Sequence, residues 1–249
     1  MSDRINLSPY NLLIATPAMD GKVEINYQHS LEYTKRTIEE YGGKCSVCFY
    51  QYIADVAYAR AKMFSEFVRK KEYSHMLFVD ADMGWNPADV AYFLLLNRDF
   101  LAAVGPKKKF PIEFAWNMNG DEGKPVPLIH ELETNVAQAP FVGGAFLMIS
   151  RHCADKLTDA YPELQFYSPD GTIEWAIFDP IIIGDKRRLS EDFTLCWRWR
   201  NIGGKVEVKM DVELTHTGAH TFRGNLYSHL MQTNQNSSHG YAVFNNEIN

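Results

Sequence analysis

Two hydrophobic periods alternate along the first hundred residues. "YNLLIATPA" (10–18) is a continuous apolar run, which predicts a buried strand broken at Thr16-Pro17 by a loop. From Tyr27 onward, Leu31, Thr34, Ile38 and Tyr41 recur at helical spacing, and Gly42-Gly43 stops that helix. Cys45 to Tyr50 reads as a second strand. In "ADVAYARAKMFSEFVRKK" (54–71), Val56, Ala59, Met63 and Phe67 share one helical face, with basic residues in the last turn. His75 to Val79 is a third strand, and Asn86 caps a helix with Pro87 in its first turn. This alternation predicts an α/β fold, Rossmann-like, with a central, mostly parallel sheet flanked by helices.

The second half changes character. "FLAAVGPKKKFP" (100–111) is a short strand and a basic loop, and residues 111–140 are polar and irregular, as a substrate loop or surface excursion would be. "PFVGGAFLMISR" (140–151) is a strand interrupted by Gly143-Gly144, which implies a bulge or a close backbone approach. "SEDFTLCWRWRNIGG" (190–204) is a helix with Ser190 as N-cap, Glu191 and Asp192 in its first turn, and closing glycines. Trp197 and Trp199 face different directions on it, so one is expected in the core. "KVEVKMDVELTHTG" (205–218) alternates like one strand ending at His216. The chain is read as one domain over 1–231, with a nucleotide-binding half at about 8–105 and an acceptor- and metal-completing half at about 106–231. A polar tail, 232–249, is expected to be mobile.

Composition narrows the chemistry. A net charge of −6 is a poor footprint for gripping a nucleic-acid backbone, so a nucleic-acid partner is not expected. No apolar stretch reaches the length of a membrane span, and "MSDRINLSPY" lacks the layout of a signal peptide; a cytoplasmic protein is expected. Cys45 and Cys48 have CxxC spacing, but lie in a strand with no second pair or nearby histidine pair, so they read as buried thiols.

In parallel sheets ligands bind beyond the carboxyl ends of the strands. Thr16-Pro17, Tyr52 to Asp55 and Asp80 to Asp82 all fall at such ends. Within "HMLFVDADMGWNP" (75–87), Asp80 and Asp82 lie one residue apart directly after an apolar strand. Two carboxylates so placed suit a hard divalent cation, which can neutralise a diphosphate leaving group. A solvated turn capping the Asn86 helix is the plainer alternative.

The haloacid-dehalogenase phosphatases share the local Asp-x-Asp pattern but continue it with Gly-Thr on the first strand. Here Met83-Gly84 follows, on the third strand. The chain resembles, over roughly 10–220, the A-type-fold nucleotide-sugar-dependent glycosyltransferases of the family-2-like kind. Asp80-Ala81-Asp82 resembles their metal-binding DxD. "ADVAYARAK" is similar to the helix that offers an arginine to the nucleotide, here Arg60, although Ala61 replaces the usual Asn. "FVGGAFLMISR" resembles the glycine-containing strand by the donor sugar, "ED" at Glu191-Asp192 the catalytic pair, and "LTHTG" the late metal-completing histidine, His216.

The resemblance implies a sugar transferase taking a UDP- or GDP-sugar with Mn²⁺ or Mg²⁺ and a glycan or other hydroxyl-bearing acceptor. It places Asp80, Asp82 and His216 at the metal, and Thr16, Pro17, Asp55, Arg60, Asp80 and Ala81 at the nucleotide. Gly143 and Gly144 fall at the donor sugar. Asp192 becomes the base of an inverting displacement, beside Glu191. A non-catalytic binding module of the same fold is the rival reading. His220 and His229 are rival ligands, Arg60 could be a surface ion-pair partner, and Lys107-Lys108-Lys109 reads more readily as a solvated loop than as a phosphate clamp.

Overall fold

The structure is a computed structural model that describes residues 5–184 and 186–236 of the 249. Its first half is β1 (Asn11–Ala18), α1 (Ile25–Glu40), β2 (Lys44–Gln51), α2 (Val56–Arg69), β3 (His75–Val79), β4 (Met83–Gly84), α3 (Pro87–Leu96) and β5 (Phe100–Ala102). There follow β6 (Trp116–Asn117), β7 (Ile129–Glu131), β8 (Val136–Gln138), β9 (Phe141–Val142), β10 (Phe146–Ser150) and α4 (Arg151–Ala160). The chain then forms β11 (Gln165–Tyr167), β12 (Ile173–Trp175), β13 (Ile182–Ile183), β14 (Arg187–Arg188) and α5 (Glu191–Asn201). It closes with β15 (Glu207–Lys209), β16 (Leu214–Thr217), β17 (Thr221–Gly224) and α6 (Leu226–Asn236).

The central sheet has eight strands in the order β2-β1-β3-β10-β5-β15-β8-β7. β1 pairs parallel with β2 and β3, and β5 with β15, while β10 runs antiparallel between β3 and β5. Successive residues of buried strands point to opposite faces. Leu13, Ala15, Met76 and Phe78 therefore pack with α2, α4 and α5, whereas Leu12, Ile14, Leu77 and Val79 pack with α1 and α3. The expected α/β class and mostly parallel, helix-flanked sheet are what the chain forms.

Four local expectations are corrected. β1 continues through Thr16-Pro17 to Ala18, with Pro17 opposite Tyr50 and Ala18 opposite Gln51 of β2. Residues 111–140 are not one excursion: β7 and β8 extend the central sheet. The alternating run 205–218 is two strands in different sheets, with Met210 to Glu213 turning between them. The stretch taken as a tail from residue 232 begins inside α6, and its remainder lies outside the described residues. Among the described residues no helix is long and apolar enough to cross a membrane. Burial pushes the Cys45 and Cys48 thiols up to about 12, in keeping with strand thiols.

His75 sits at the opposite end of β3 from the Asp-x-Asp. It is 3% exposed, and its Nε2 has no hydrogen-bond partner. Burial lowers its pKa to about 4, against the opposing pull of Asp99 and Asn97. An unfolded chain takes up this proton near pH 6.5, whereas the folded chain resists it until about 4. Stability is therefore full above pH 6.5 and lost progressively down to pH 4, by at most about 3 kcal/mol. Urea midpoints across that range should fall more steeply for the wild type than for His75→Gln. Parallel profiles would remove His75 as the cause.

Candidate functional site

Asp80 and Asp82 follow β3 directly, at the carboxyl edge of the sheet. β10 enters from the same edge, with Phe146 opposite Val79, so Gly143, Gly144 and Ala145 lie beside the acids. The Ala145 carbonyl accepts from the Asp80 amide at 3.1 Å. The N-terminus of α5 brings Glu191 and Asp192 to the other side of this glycine turn.

Gly144 joins the two acidic pairs. Its amide donates to Asp192 Oδ2 at 3.3 Å, and its carbonyl accepts from Arg60 Nη1 at 2.7 Å. Arg60 Nη2 in turn donates to Asp80 Oδ1 at 2.7 Å. A Cβ on Gly144 would stand 2.9 Å from Arg60 Nη1, which explains a glycine here. Arg60 is 2% exposed. It is thus not a surface ion-pair partner, and with both Nη atoms engaged it holds Asp80 and the glycine turn from beneath.

Asp192 is further fixed by Ser190 Oγ and by the Phe193 amide, 2.8 Å from its Oδ1. Ser190 occupies the N-cap position, yet its hydroxyl serves Asp192 rather than the helix. Glu191 is held more loosely. Burial, then the charge of Asp192, raises its proton affinity above the ordinary range, with Arg60 opposing.

Asp82 faces a different set. Its Oδ2 takes Lys108 Nζ at 2.5 Å. Its Oδ1 is buried without an aligned donor and lies 3.3 Å from His216 Nε2. His216 is delivered by β16, which pairs with β4 immediately after the Asp-x-Asp. Its Nδ1–H donates to the Pro106 carbonyl at 2.8 Å, which turns Nε2 toward Asp82. Burial raises the Asp82 pKa, but His216 and Lys108 outweigh it and leave the carboxyl below its ordinary value. Burial likewise opposes charge on His216, and Asp82 and the Pro106 carbonyl reverse it, so the imidazole pKa is raised.

A buried carboxylate oxygen facing an imidazole nitrogen, the other ring N–H fixed by a carbonyl, is a ligand set that suits a divalent cation. Neighbouring ligands on an ion with bonds of about 2.1 Å stand about 3 Å apart, close to the Asp82–His216 separation. The expected three-ligand set is corrected, however. Among the described residues no three His, Cys, Asp or Glu side chains converge as a metal site, and Asp80 Oδ1 accepts from Arg60 instead. His220 packs against Phe110 and Phe222, and His229 against Phe114, so neither rival replaces His216.

The remaining expected residues divide. Thr16 is fully buried, its hydroxyl 2.5 Å from that of Tyr27, so its side chain cannot meet a nucleotide. Pro17 is half-buried in the same strand, and the exposed turn follows at Met19 and Asp20. Asp55 is exposed and caps α2, accepting from the Ala57 and Tyr58 amides at 2.9 and 3.3 Å. Ala81 offers its carbonyl to the Glu24 amide at 2.9 Å. Trp199 is the core tryptophan, with its Nε1 on the Lys205 carbonyl at 2.9 Å. Lys108, set aside in the sequence as part of a solvated loop, belongs to the site. The only advance signal was three consecutive lysines beyond a strand end.

No family model and no curated protein matches the sequence. Solved structures do. A197 from STIV matches with a TM-score of 0.50 at 12% identity, covering 84% of this chain and 86% of that one. GalNAc-T7 with UDP, GalNAc and Mn²⁺ matches at 0.40 and 12% identity, covering 80% of this chain, which spans 41% of that one. A glycosyltransferase involved in glycosylation of the major capsid of PBCV-1 matches at 0.30 and 10%, covering 58% of this chain and 62% of that one. The likeness to A197 shows a shared fold along most of both chains.

Proposed function

We propose that this protein is a metal-dependent glycosyltransferase that moves a sugar from a nucleoside-diphosphate sugar to an acceptor hydroxyl, with inversion. The observation that carries the reading is the buried Asp82 Oδ1 set 3.3 Å from His216 Nε2, beside an Asp80 that one glycine turn links through Arg60 to a second acidic pair. A strand-end turn that only needed solvation would not bury a carboxylate oxygen against an imidazole that a backbone carbonyl holds in place. An Asp-x-Asp phosphatase would need Asp80 as a nucleophile, and its Oδ1 is tied to Arg60.

Asp82 and His216 would hold Mn²⁺ or Mg²⁺, which when bound supplies charge to neutralise the diphosphate leaving group. Arg60 keeps Asp80 aimed at the nucleotide side of the site. Asp192 accepts the acceptor's hydroxyl proton as the new glycosidic bond forms and the bond to the diphosphate breaks. Gly143 and Gly144 let the sugar approach backbone between the two acidic pairs.

A thermal-shift screen of UDP- and GDP-sugars should raise the melting temperature with Mn²⁺ and not in excess EDTA. The stabilising donor should also be slowly hydrolysed without acceptor, only when Mn²⁺ is present. Binding with no hydrolysis and no transfer would favour a non-catalytic module.

A further inference from the structure

The three lysines after Pro106 divide by partner. Lys107 and Lys109 both reach Glu113, at 3.3 and 2.6 Å. Lys108 turns the other way, its Nζ 2.5 Å from Asp82 Oδ2. Its stem runs past Gly218, where a Cβ would lie 3.2 Å from Lys108 Cδ. An ammonium thus stands on the carboxylate that the proposed cation requires.

We propose that Lys108 is a diphosphate-binding residue, its ammonium resting on Asp82 in the ligand-free protein and moving to the donor's diphosphate when a divalent cation takes Asp82. This rests on the reading of the site as a nucleoside-diphosphate-sugar site. A divalent ion on Asp82 repels the ammonium, and an arriving diphosphate attracts it. Both forces act in one direction on a flexible four-carbon stem whose side chain is 36% exposed. Among the described residues no other movable positive charge rests on the site's acids. Arg60 is buried, with its Nη atoms on Asp80 and Gly144, and Lys107 and Lys109 share Glu113. Four carboxylates, Asp80, Asp82, Glu191 and Asp192, surround the site, and the fixed charges of Arg60 and His216 are already engaged with Asp80 and Asp82. The resting contact keeps Asp82 neutralised until metal and donor arrive together.

Calorimetry on the full chain with Mn²⁺ alone, then with UDP, GDP, UMP or GMP in the presence of Mn²⁺, tests this. Lys108→Gln should bind Mn²⁺ alone severalfold more tightly, because its competitor is gone. The same variant should bind the preferred nucleoside diphosphate about ten- to hundredfold more weakly, the scale of one charge-assisted hydrogen bond. Its monophosphate affinity should move less than twofold, and Lys107→Gln should match the wild type throughout. Unchanged diphosphate affinity in Lys108→Gln, or equal losses for mono- and diphosphate, would overturn the assignment of Lys108 alone. So would wild-type diphosphate binding in EDTA that disappears in Lys108→Gln, since Lys108 would then replace the metal rather than yield to it. A wild type that binds neither diphosphate with Mn²⁺ would overturn the site reading as well.

Discussion

Asp82→Ala should abolish Mn²⁺-dependent binding of a nucleoside diphosphate, and turnover with it, while the protein stays folded. Asp82 stands between two cationic neighbours, with Lys108 on Oδ2 and His216 beside Oδ1. Truncation leaves His216 as a lone ligand, too few for an oxygen-seeking ion that is normally held by carboxylates together with substrate phosphates. A loss of more than about a hundredfold in metal-dependent affinity is expected, beyond the 10- to 100-fold typical of losing a mere supporting partner. The fold should tolerate the change. The Asp82 side chain is 32% exposed, its ion pairs are partly solvated, and pairs of that kind contribute about 1 kcal/mol or less. The hydrogen bond that ties this turn to β16 comes from the Thr217 amide to the Asp82 backbone carbonyl at 2.8 Å, which the substitution keeps. Calorimetric titration of UDP and GDP with Mn²⁺, alongside circular dichroism, separates the two effects. An unchanged dissociation constant in the variant would dissolve the metal site. Undiminished wild-type turnover in excess EDTA would do the same.

Much of this arrangement was legible because its signals are local. Asn86 caps α3 as its position before Pro87 implies, its side chain accepting from the Ala88 amide at 3.1 Å. The Asp-x-Asp ends a fully buried strand, and Glu191-Asp192 open a helix, as apolar periods followed by acids suggest. What escaped depends on contacts distant in sequence. Period-two alternation runs unbroken through residues 205–218, so nothing local marks the turn by which β15 joins the central sheet and β16 joins β4. The amphipathic helix α4 follows β10 without a break, with Ser150 serving both the strand and the cap, and a reading that stops at the strand loses it. Arg60 was visible as an arginine on the right helix, but its burial depends on the Gly144 carbonyl, 84 residues away. Lys108 is the sharpest case. Its two neighbours are tied by Glu113 in an ordinary surface cluster, and only the folded chain shows that the middle lysine reaches Asp82.

Asp192→Asn should cut kcat by about 10²–10⁴, the usual worth of general-base assistance, and leave Mn²⁺ and donor affinity near the wild-type values. An acceptor hydroxyl is a poor nucleophile at neutral pH, so a positioned carboxylate must take its proton as the bond to the sugar forms. Asp192 is positioned more firmly than any other acid of the site, by the Gly144 amide, the Phe193 amide and Ser190 Oγ. The asparagine can keep its carbonyl oxygen on the Gly144 amide and turn its NH₂ to Ser190 Oγ, which can accept, at the cost of the Phe193 amide bond. The Gly144 link to Arg60 and Asp80 should therefore survive, and with it the donor site, while the basicity is gone. Glu191 supplies the internal comparison. Its raised proton affinity, caused first by burial, makes it the one rival base at this helix terminus. Glu191→Gln should lower kcat by less than Asp192→Asn if the firmly held carboxylate is the base, and the order reverses if the looser one is. The product's anomeric configuration decides the rest. Direct displacement inverts it, so a product that keeps the donor's configuration, or an Asp192→Asn enzyme with wild-type kcat, leaves Asp192 as an anchor for the Gly144 turn and nothing more.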